Sequence, residues 1–305
     1  MDELRQACAE VAARARSVAV VTEAITAYAA TLPHLPHPGP DAPPANAAER
    51  EARAAYWLTM DAINFGSGWF PTLRKRDGLS GSNTIAAALR DRFEGHGCWT
   101  PIELTRLEAA TLAPILGQDP DHELMALYAT SLRDLGEHVA TQDDGSFVAV
   151  ADAAGGSAVT LACHLGGWRS FADTSQHDDV EVPFLKRAQI AAADLHRAGV
   201  AHFADLDDLT MFADNLVPHV LRLDGVLRFE PELVTRIDRE ELIVHGSPEE
   251  VEIRACALHA VELLVAASPP AAKLNAAAID QLLWHRGQEP RYKAAPRHRS
   301  RCTAY

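Results

Sequence analysis

The sequence predicts a mainly α protein, a helical fold with room for a small β element. Apolar side chains recur three and four residues apart along most of the chain, which is the spacing that one face of an α-helix requires. No β-α-β pattern is repeated, and the sequence has no internal repeat. With 305 residues, 48% of them hydrophobic, the chain can build one large core or two modest ones. We expect one unit over residues 1–305, which could subdivide into helical parts over residues 1–145 and 146–305.

The N-terminal third alternates between helical patterns and two interruptions. Residues 3–31 predict one or two helices, and residues 47–62 predict another. Six prolines between Pro33 and Pro44 exclude a helix there, because proline lacks the amide hydrogen and clashes with the preceding turn. We therefore expect an ordered loop over residues 33–46. The second interruption is the segment DAINFGSGWFP at residues 61–71, where glycines stand beside aromatic side chains.

Helical spacing continues through the middle of the chain, over residues 83–93, 101–116 and 121–139. Thr100 precedes Pro101, and Glu103 follows in the first turn, a combination that is typical of a helix N-terminus. Residues 147–165 fit either a strand hairpin around Gly155 and Gly156 or two short helices, because periodicity does not separate the two.

The C-terminal part of the chain predicts an acidic loop, further helices and a basic tail. The loop covers residues 173–181, and Pro183 then begins a helix that we expect to run to about residue 198. Residues 249–264 predict a core helix with a solvated charged flank, formed by Glu252, Arg254 and Glu262. The basic tail could bind a phosphate or could be a flexible end; it contains Arg297, His298, Arg299 and Arg301.

The charge balance and the cysteine pattern exclude several classes of protein. The net charge of -14 disfavours a surface for polyanions, so we expect neither nucleic acid nor a membrane as a partner. Five cysteines without a C-x-x-C pair argue against a disulfide framework or a zinc site, and they suit the reducing cytosol. No apolar run reaches roughly 18 residues, and the first residues are acidic where a secretion signal would be basic. We expect a cytoplasmic protein.

The familiar short motifs for nucleotide, metal and acyl-transfer chemistry do not occur. The sequence contains no G-x-G-x-x-G, Walker A, H-E-x-x-H, G-x-S-x-G or EF-hand pattern. Its fourteen histidines are scattered, and His34 and His37 share the proline-rich loop without a further close-spaced ligand. We therefore expect no metal and no cofactor.

Two charged residues stand at the edge of an otherwise apolar helix pattern at residues 184–199. Lys186 and Asp194 approach the same side of this helix. The pair could serve chemistry, or it could form an ordinary ion pair or a solvated flank.

Asp214 lies within a dense apolar pattern that runs from Leu209 to Leu221 and predicts a helix. No basic residue stands three or four positions away on either side, and a lone buried carboxylate is costly unless it is paired or used. The alternative is a capping role, in which Asp214 precedes a helix that begins at Asn215 and has Pro218 in its first turn. The two roles are compatible, because a cap also places a carboxylate at the mouth of a helix.

An ordered series of short segments resembles the queuosine salvage family over nearly the whole chain. The segments are DAINF at residues 61–65, residues 79–81, KRAQ at 186–189 with the following Asp194, LTMFAD at 209–214 with VP at 217–218, EVEIR at 250–254, the ID and LW pairs within 279–284, and the tail at 298–305. One such short match would mean little, whereas the series in the right order is specific.

This resemblance implies a helical fold similar to that of DNA glycosylases and an enzyme that hydrolyses the N-glycosidic bond of queuosine 5′-monophosphate. The product would be queuine, the base that is reinserted into tRNA. By motif, Asp214 would be the catalytic carboxylate and Lys186 its essential partner. Phe212, Asn64 and Phe65 would help to form the substrate pocket. His34, which stands four residues before Pro38, would also face it, although His37 could equally take that role.

The chemistry of this substrate assigns further candidates. Its base is a 7-deazaguanine with N–H donors, an aromatic face and a cationic aminomethyl arm, which call for carboxylates or amides, an aromatic ring and an acidic residue respectively. Asp194, Asp280 and Trp284 are the added candidates, and the last two could equally be packing residues. Two other functions stay open: a non-catalytic binding module for a modified nucleoside, and a DNA-glycosylase-like enzyme, which the negative charge disfavours.

Overall fold

The computed structural model describes residues 1–33, 41–141, 145–269 and 274–305. Helices dominate these ranges, which confirms the mainly α fold. They are α1 (Asp2–Arg14), α2 (Thr22–Ala29), α3 (Ala47–Ala62), α4 (Gly81–His96), α5 (Pro101–Leu104), α6 (Ala109–Ile115), α7 (Glu123–Thr141), α8 (Phe147–Asp152), α9 (Ala158–Gly166), α10 (Lys186–Arg197), α11 (Val217–Leu223), α12 (Pro231–Asp238), α13 (Pro248–Ala267), α14 (Ala276–Arg286) and α15 (Pro290–Lys293). No helix in the described ranges is long and apolar enough to cross a membrane.

Four short strands form the β element of the described ranges. They are β1 (Val18–Val20), β2 (Thr174–His177), β3 (Val180–Pro183) and β4 (Leu227–Phe229). Antiparallel pairing joins β1 to β4, with Val18 opposite Phe229, and joins β2 to β3. The strand between α1 and α2 interrupts the region predicted as helical, because its partner lies about two hundred residues away in the sequence and no local pattern reveals it.

Local capping sets several helix starts where the sequence predicts them. Helix α3 covers residues 47–62 as predicted, and the Asn46 side chain accepts a hydrogen bond from the amide of Glu49. The expected start at Thr100 is a complete capping box, in which Thr100 and Glu103 each accept from the other's backbone amide. The predicted helix over 101–116 nevertheless divides into α5 and α6. Residues 147–165 form two short helices, α8 and α9, which settles the alternative in their favour.

Two predicted boundaries in the region before α10 are wrong. The acidic segment over 173–181 is the β2–β3 hairpin and not a loop. Helix α10 begins at Lys186 and not at Pro183, because Pro183 pairs within the hairpin and Leu185 takes a left-handed conformation with φ 51°. The chain therefore turns sharply just before Lys186.

The dense helix predicted from Leu209 to Leu221 is also wrong in its first half. Residues 209–216 are extended or bent, and α11 begins only at Val217. Side chains from other elements bind the backbone that a helix would have satisfied: Thr210 N donates to Gln189 Oε1 at 2.9 Å. Tertiary hydrogen bonds thus replace the local ones.

The solvated flank predicted on α13 is wrong as well. Glu252 and Arg254 are 1% and 0% exposed, and Glu262 is about half buried. Both fully buried groups find charged or backbone partners on distant segments, so the helix is surrounded on nearly all sides. It lies within the second core and packs against α1, α2, α11 and α14.

Buried apolar side chains form two large clusters. The first draws on residues 54–212, with α10 packed against α3 and α9. The second draws on residues 4–32 and 180–292. Two chain segments cross between the clusters: Phe184 lies in the second and Ala188 in the first, while Met211 lies in the second and Phe212 in the first. Lys186 and Asp214 follow these crossings closely, so both lie near the boundary between the cores.

Candidate active site

A cavity of about 820 Å³ is lined by residues of both cores. Its walls come from the segment after α3, the start of α4, one side of α10, the segment before α11, helix α14 and the C-terminal segment. The volume is within the range of small-molecule sites. Within the described ranges, no cluster of three or more His, Cys, Asp or Glu side chains could hold a metal ion.

Lys186 opens α10 and reaches the cavity with its amine. The side chain is 6% exposed, and Nζ donates to the backbone carbonyl of Asn64 at 3.0 Å. Burial lowers the pKa of Lys186 to about 8, and the charge of Asp214 is the largest influence against that shift. A buried amine with a lowered pKa, beside a carboxylate, is a typical functional arrangement.

Asp214 caps α11 and lines the cavity at the same time. Its Oδ1 accepts hydrogen bonds from the amides of Leu216 at 2.8 Å and Val217 at 3.0 Å. Among the described residues, Oδ2 accepts no hydrogen bond, so it is free to meet a ligand. Asp214 therefore caps the helix and lines the cavity at once, although the helix begins at Val217 and not at Asn215.

Asp280, on α14, is the second carboxylate on this side. Its Oδ1 accepts from the amide of Phe212 at 3.1 Å, which holds the segment before Asp214 in place. Burial, assisted by the charge of Asp214, raises the pKa of Asp280 well above its usual range. Phe212 and Trp284 also line the cavity and supply aromatic surface beside these groups.

Asp194 lines the cavity but is paired with Arg197 and not with Lys186. Arg197 donates to its Oδ1 from Nη2 at 2.8 Å and from Nε at 3.3 Å, and the guanidinium lies over the Trp57 ring. Burial raises the pKa of Asp194, while Arg197 opposes that shift. The ordinary interpretation, an ion pair, thus applies to Asp194.

Asn64 and Phe65 lie in the interruption after α3, and both line the cavity. Phe65 is 2% exposed, packs edge-on against Tyr128 and accepts the hydroxyl of Tyr128 at its backbone carbonyl at 2.8 Å. It therefore forms a fixed wall. His34 and His37 lie outside the described residues.

Basic side chains also line the cavity, two of them from the C-terminal tail. Lys75, Lys293, Arg297 and Arg299 line it. The tail is not a flexible end, because Asn215 Nδ2 donates to the carbonyl of His298 at 3.0 Å and Ile243 N donates to that of Arg299 at 2.9 Å. His298, Ser300 and Cys302 are buried between the arginines, so the basic side chains point the other way. This alternation, visible in the sequence, could have predicted an extended segment with one charged face.

Arg297 differs from its neighbours because, within the described ranges, its guanidinium makes no hydrogen bond or ion pair. Burial lowers the pKa of Arg297, and the charge of Asp214 opposes that shift. Arg299 instead contacts Glu240, whose carboxylate lies 3.6 Å away. A partly buried arginine without a protein partner, facing a cavity, is suited to an anionic ligand.

Comparison with known proteins finds one family and several relatives that share a single name. The profile described as queuosine salvage protein matches residues 44–305. A protein of Sphaerobacter thermophilus named queuosine 5′-phosphate N-glycosylase/hydrolase is 38% identical over 269 residues, which is 84% of this chain and 82% of that protein. Proteins with the same name from Dictyostelium discoideum and Mus musculus are 29% and 31% identical, over 82% and 57% of this chain and 77% and 56% of their own length. The chain belongs to the queuosine salvage protein family.

Proposed function

We propose that the protein hydrolyses the N-glycosidic bond of queuosine 5′-phosphate and releases queuine. The observation that carries this proposal is that Asp214, Lys186 and Arg297 line one cavity, and that Arg297 makes no hydrogen bond or ion pair among the described residues. A nucleotide needs both acidic and basic groups, because charge develops at its ribose while its phosphate is already anionic. The names of the relatives supply the base.

Asp214 acts on the ribose. Breaking the bond from C1′ to the base builds positive charge on C1′ and O4′, and an ionised carboxylate beside the ring stabilises that charge, electrostatically or by attack at C1′. The two backbone amides on Oδ1 fix the carboxylate, so it needs no reorientation during the reaction. The base of this substrate carries carbon in place of N7, so protonation at N7 cannot assist departure. Catalysis therefore depends strongly on the sugar side.

Lys186 acts through its charge. Below its pKa of about 8 the buried ammonium supplies a positive charge close to Asp214 and can hold a ribose hydroxyl. Hydrolysis needs no adduct with the amine, so a Schiff base has no place in the reaction. Borohydride treatment should trap no substrate on Lys186.

Recognition of the base falls to the surfaces next to Asp214. Asp280 offers carboxyl oxygens to the N–H donors of the base, Phe212 and Trp284 offer aromatic surface, and Asn64 offers an amide. Asp194, although paired with Arg197, adds negative charge for the cationic arm. The 5′-phosphate is assigned to Arg297, and Lys75 and Arg299 are further basic residues that line the same cavity.

The test is chromatography of queuosine 5′-phosphate after incubation with the purified protein, beside Asp214→Asn and beside the unphosphorylated nucleoside. We expect queuine from the wild type only, and faster release from the monophosphate. Binding of the base without release from either substrate, by a folded protein, would instead favour a non-catalytic binding module.

A further inference from the structure

Asp214 and Lys186 lie on different segments, and within the described ranges no hydrogen bond joins their side chains directly. A buried chain of three bonds joins the segments instead. Arg254 Nε donates to the carbonyl of Ala213 at 2.9 Å, and Arg254 Nη2 donates to Asp173 Oδ2 at 2.7 Å. The same Asp173 oxygen accepts the backbone amide of Lys186 at 3.0 Å.

We propose that Arg254 and Asp173 are positioning residues that hold the Asp214 carboxylate in register with the Lys186 amine. The proposal rests on the proposed function for its rate consequence, while its structural part stands alone. Neither side chain lines the cavity, so neither is expected to touch the substrate.

At both ends of this series of hydrogen bonds, no neighbouring residue supplies the bond in its place. The residue before Lys186, Leu185, provides no side-chain cap for α10, and Asp173 supplies that cap from thirteen positions earlier. Ala213 lies in the extended segment before α11, outside any strand ladder or helix. Losing the bond to Arg254 would leave its carbonyl without that anchor, directly beside Asp214.

The buried surroundings of the Arg254–Asp173 pair favour arginine at position 254. Both side chains are 0% exposed, and the Arg254 guanidinium lies 3.9 Å from the Phe184 ring centroid and 4.8 Å from that of Tyr305. The guanidinium bonds the Ala213 carbonyl from Nε and the Asp173 carboxylate from Nη2, two separate nitrogens held in one plane, while it lies close to both rings. Buried ion pairs often contribute little net stability compared with apolar replacements. A positioning role therefore explains the presence of this buried pair better than a contribution to stability does.

The first test compares Arg254→Lys with Glu252→Gln. Lysine keeps the charge beside Asp173 but has one nitrogen where arginine places Nε and Nη2 against separate acceptors, so we expect kcat on queuosine 5′-phosphate to fall about 10- to 100-fold with KM changed less than about threefold. Glu252 is the matched control because it lies on the same helix and is equally buried, but bonds the amides of Ser17 and Val18. Its variant should lower the melting temperature and leave kcat within about twofold. Unchanged kcat in folded Arg254→Lys, or an equal loss in Glu252→Gln, would overturn the proposal.

If Arg254→Lys fails to fold, the double variant Arg254→Met with Asp173→Asn removes both charges of the pair, and the buried Glu250, 3.8 Å from Arg254 Nη1, keeps His245 as its partner. We expect it to show the same loss of kcat, because the hydrogen bonds from Arg254 are cut. A folded double variant with wild-type kcat would contradict the positioning role.

A readout independent of activity is the titration of Lys186, followed by NMR in wild type and Asp173→Asn. The charged groups that act on Lys186 are Asp214, Arg187, Asp61 and Asp173, with Asp194 and Asp280 beyond them. Removing the negative charge of Asp173 should lower the pKa of Lys186 further, and Glu252→Gln should leave it unchanged. An unchanged titration would refute the coupling even if the wild type released no base, so the two proposals fail separately.

Discussion

Two sets of residues that line the cavity hold their charges in different ways. Asp214 and Asp280 are fixed by backbone amides from the segment around residues 212–217. Among the basic residues, Arg297 makes no hydrogen bond or ion pair in the described ranges, and Lys75 and Lys293 are exposed. Fixed charge suits a transition state, where any reorientation would add to the barrier. Free charge suits a ligand that brings its own counter-charge.

The strongest way to break this comparison is Asp214→Asn. Asparagine can still accept from the two amides, so the fold should persist, but the negative charge beside C1′ is gone. We expect kcat to fall about 10³-fold or more. Base release and the melting temperature measure the two effects, and Asp91→Asn, an exposed aspartate paired with Arg76, serves as the control. Near-normal turnover by Asp214→Asn would refute its catalytic role.

Lys186→Met tests the cation that Asp214 influences. The methionine fills a similar volume without charge, and we expect about a 10²-fold loss in kcat with the fold retained. A variant that keeps wild-type kcat and loses only affinity would show that Lys186 serves binding alone.

The pH dependence of activity is a second test of the charge on Lys186. The ammonium of Lys186 is present below its pKa of about 8 and is lost above it, so activity should decline as the pH rises through about 8. A profile of kcat/KM against pH between 6 and 10, at constant ionic strength, measures this limb, because kcat/KM reports the ionisable groups of the free enzyme. Activity that stays flat beyond pH 10 would mean that the charge of Lys186 is not needed.

Arg297→Gln tests a basic residue that lines the cavity and should affect binding more than chemistry. Loss of a charge-assisted bond to phosphate should raise KM for queuosine 5′-phosphate by about 10- to 100-fold. Turnover of the unphosphorylated nucleoside should be unchanged. Arg301→Gln is the matched control, because Arg301 has the same alternation but contacts Glu123 and does not line the cavity. Equal losses of activity on the nucleotide and the nucleoside would show that Arg297 does not bind the phosphate.

Asp280→Asn is expected to give the smallest effect. The amide oxygen can still accept from Phe212, so the extended segment keeps its anchor, while a carboxyl contact to the base is lost. We expect kcat/KM to fall about tenfold, mainly through KM. Product inhibition by queuine should weaken in parallel, and an unchanged inhibition constant would place the base elsewhere.

Sequence reasoning predicted the parts of the fold that depend on interactions between neighbouring residues. The helix over residues 47–62 and the capping box at Thr100 are confirmed, and both depend on hydrogen bonds and apolar spacing within a few residues. The candidates Lys186, Asp194, Phe212, Asp214 and Asp280 all line one cavity, where their roles stay predictions. The flank of α13 was predicted wrongly, since a charged residue looks solvated until its partner is known.

By itself, then, the sequence determined the helical class, most helix positions, the family resemblance and the identity of the carboxylate and lysine brought to the cavity. Only the tertiary structure decided which charges are paired. Arg254 meets Asp173 across 81 positions, and Glu252 meets Ser17 across 235. Local patterns carry periodicity and capping, but the burial of a charge is decided by segments that meet only in the folded chain. The same reason separates Arg297, which lines the cavity without a hydrogen bond or ion pair among the described residues, from the buried Arg254, which bonds Ala213 and Asp173.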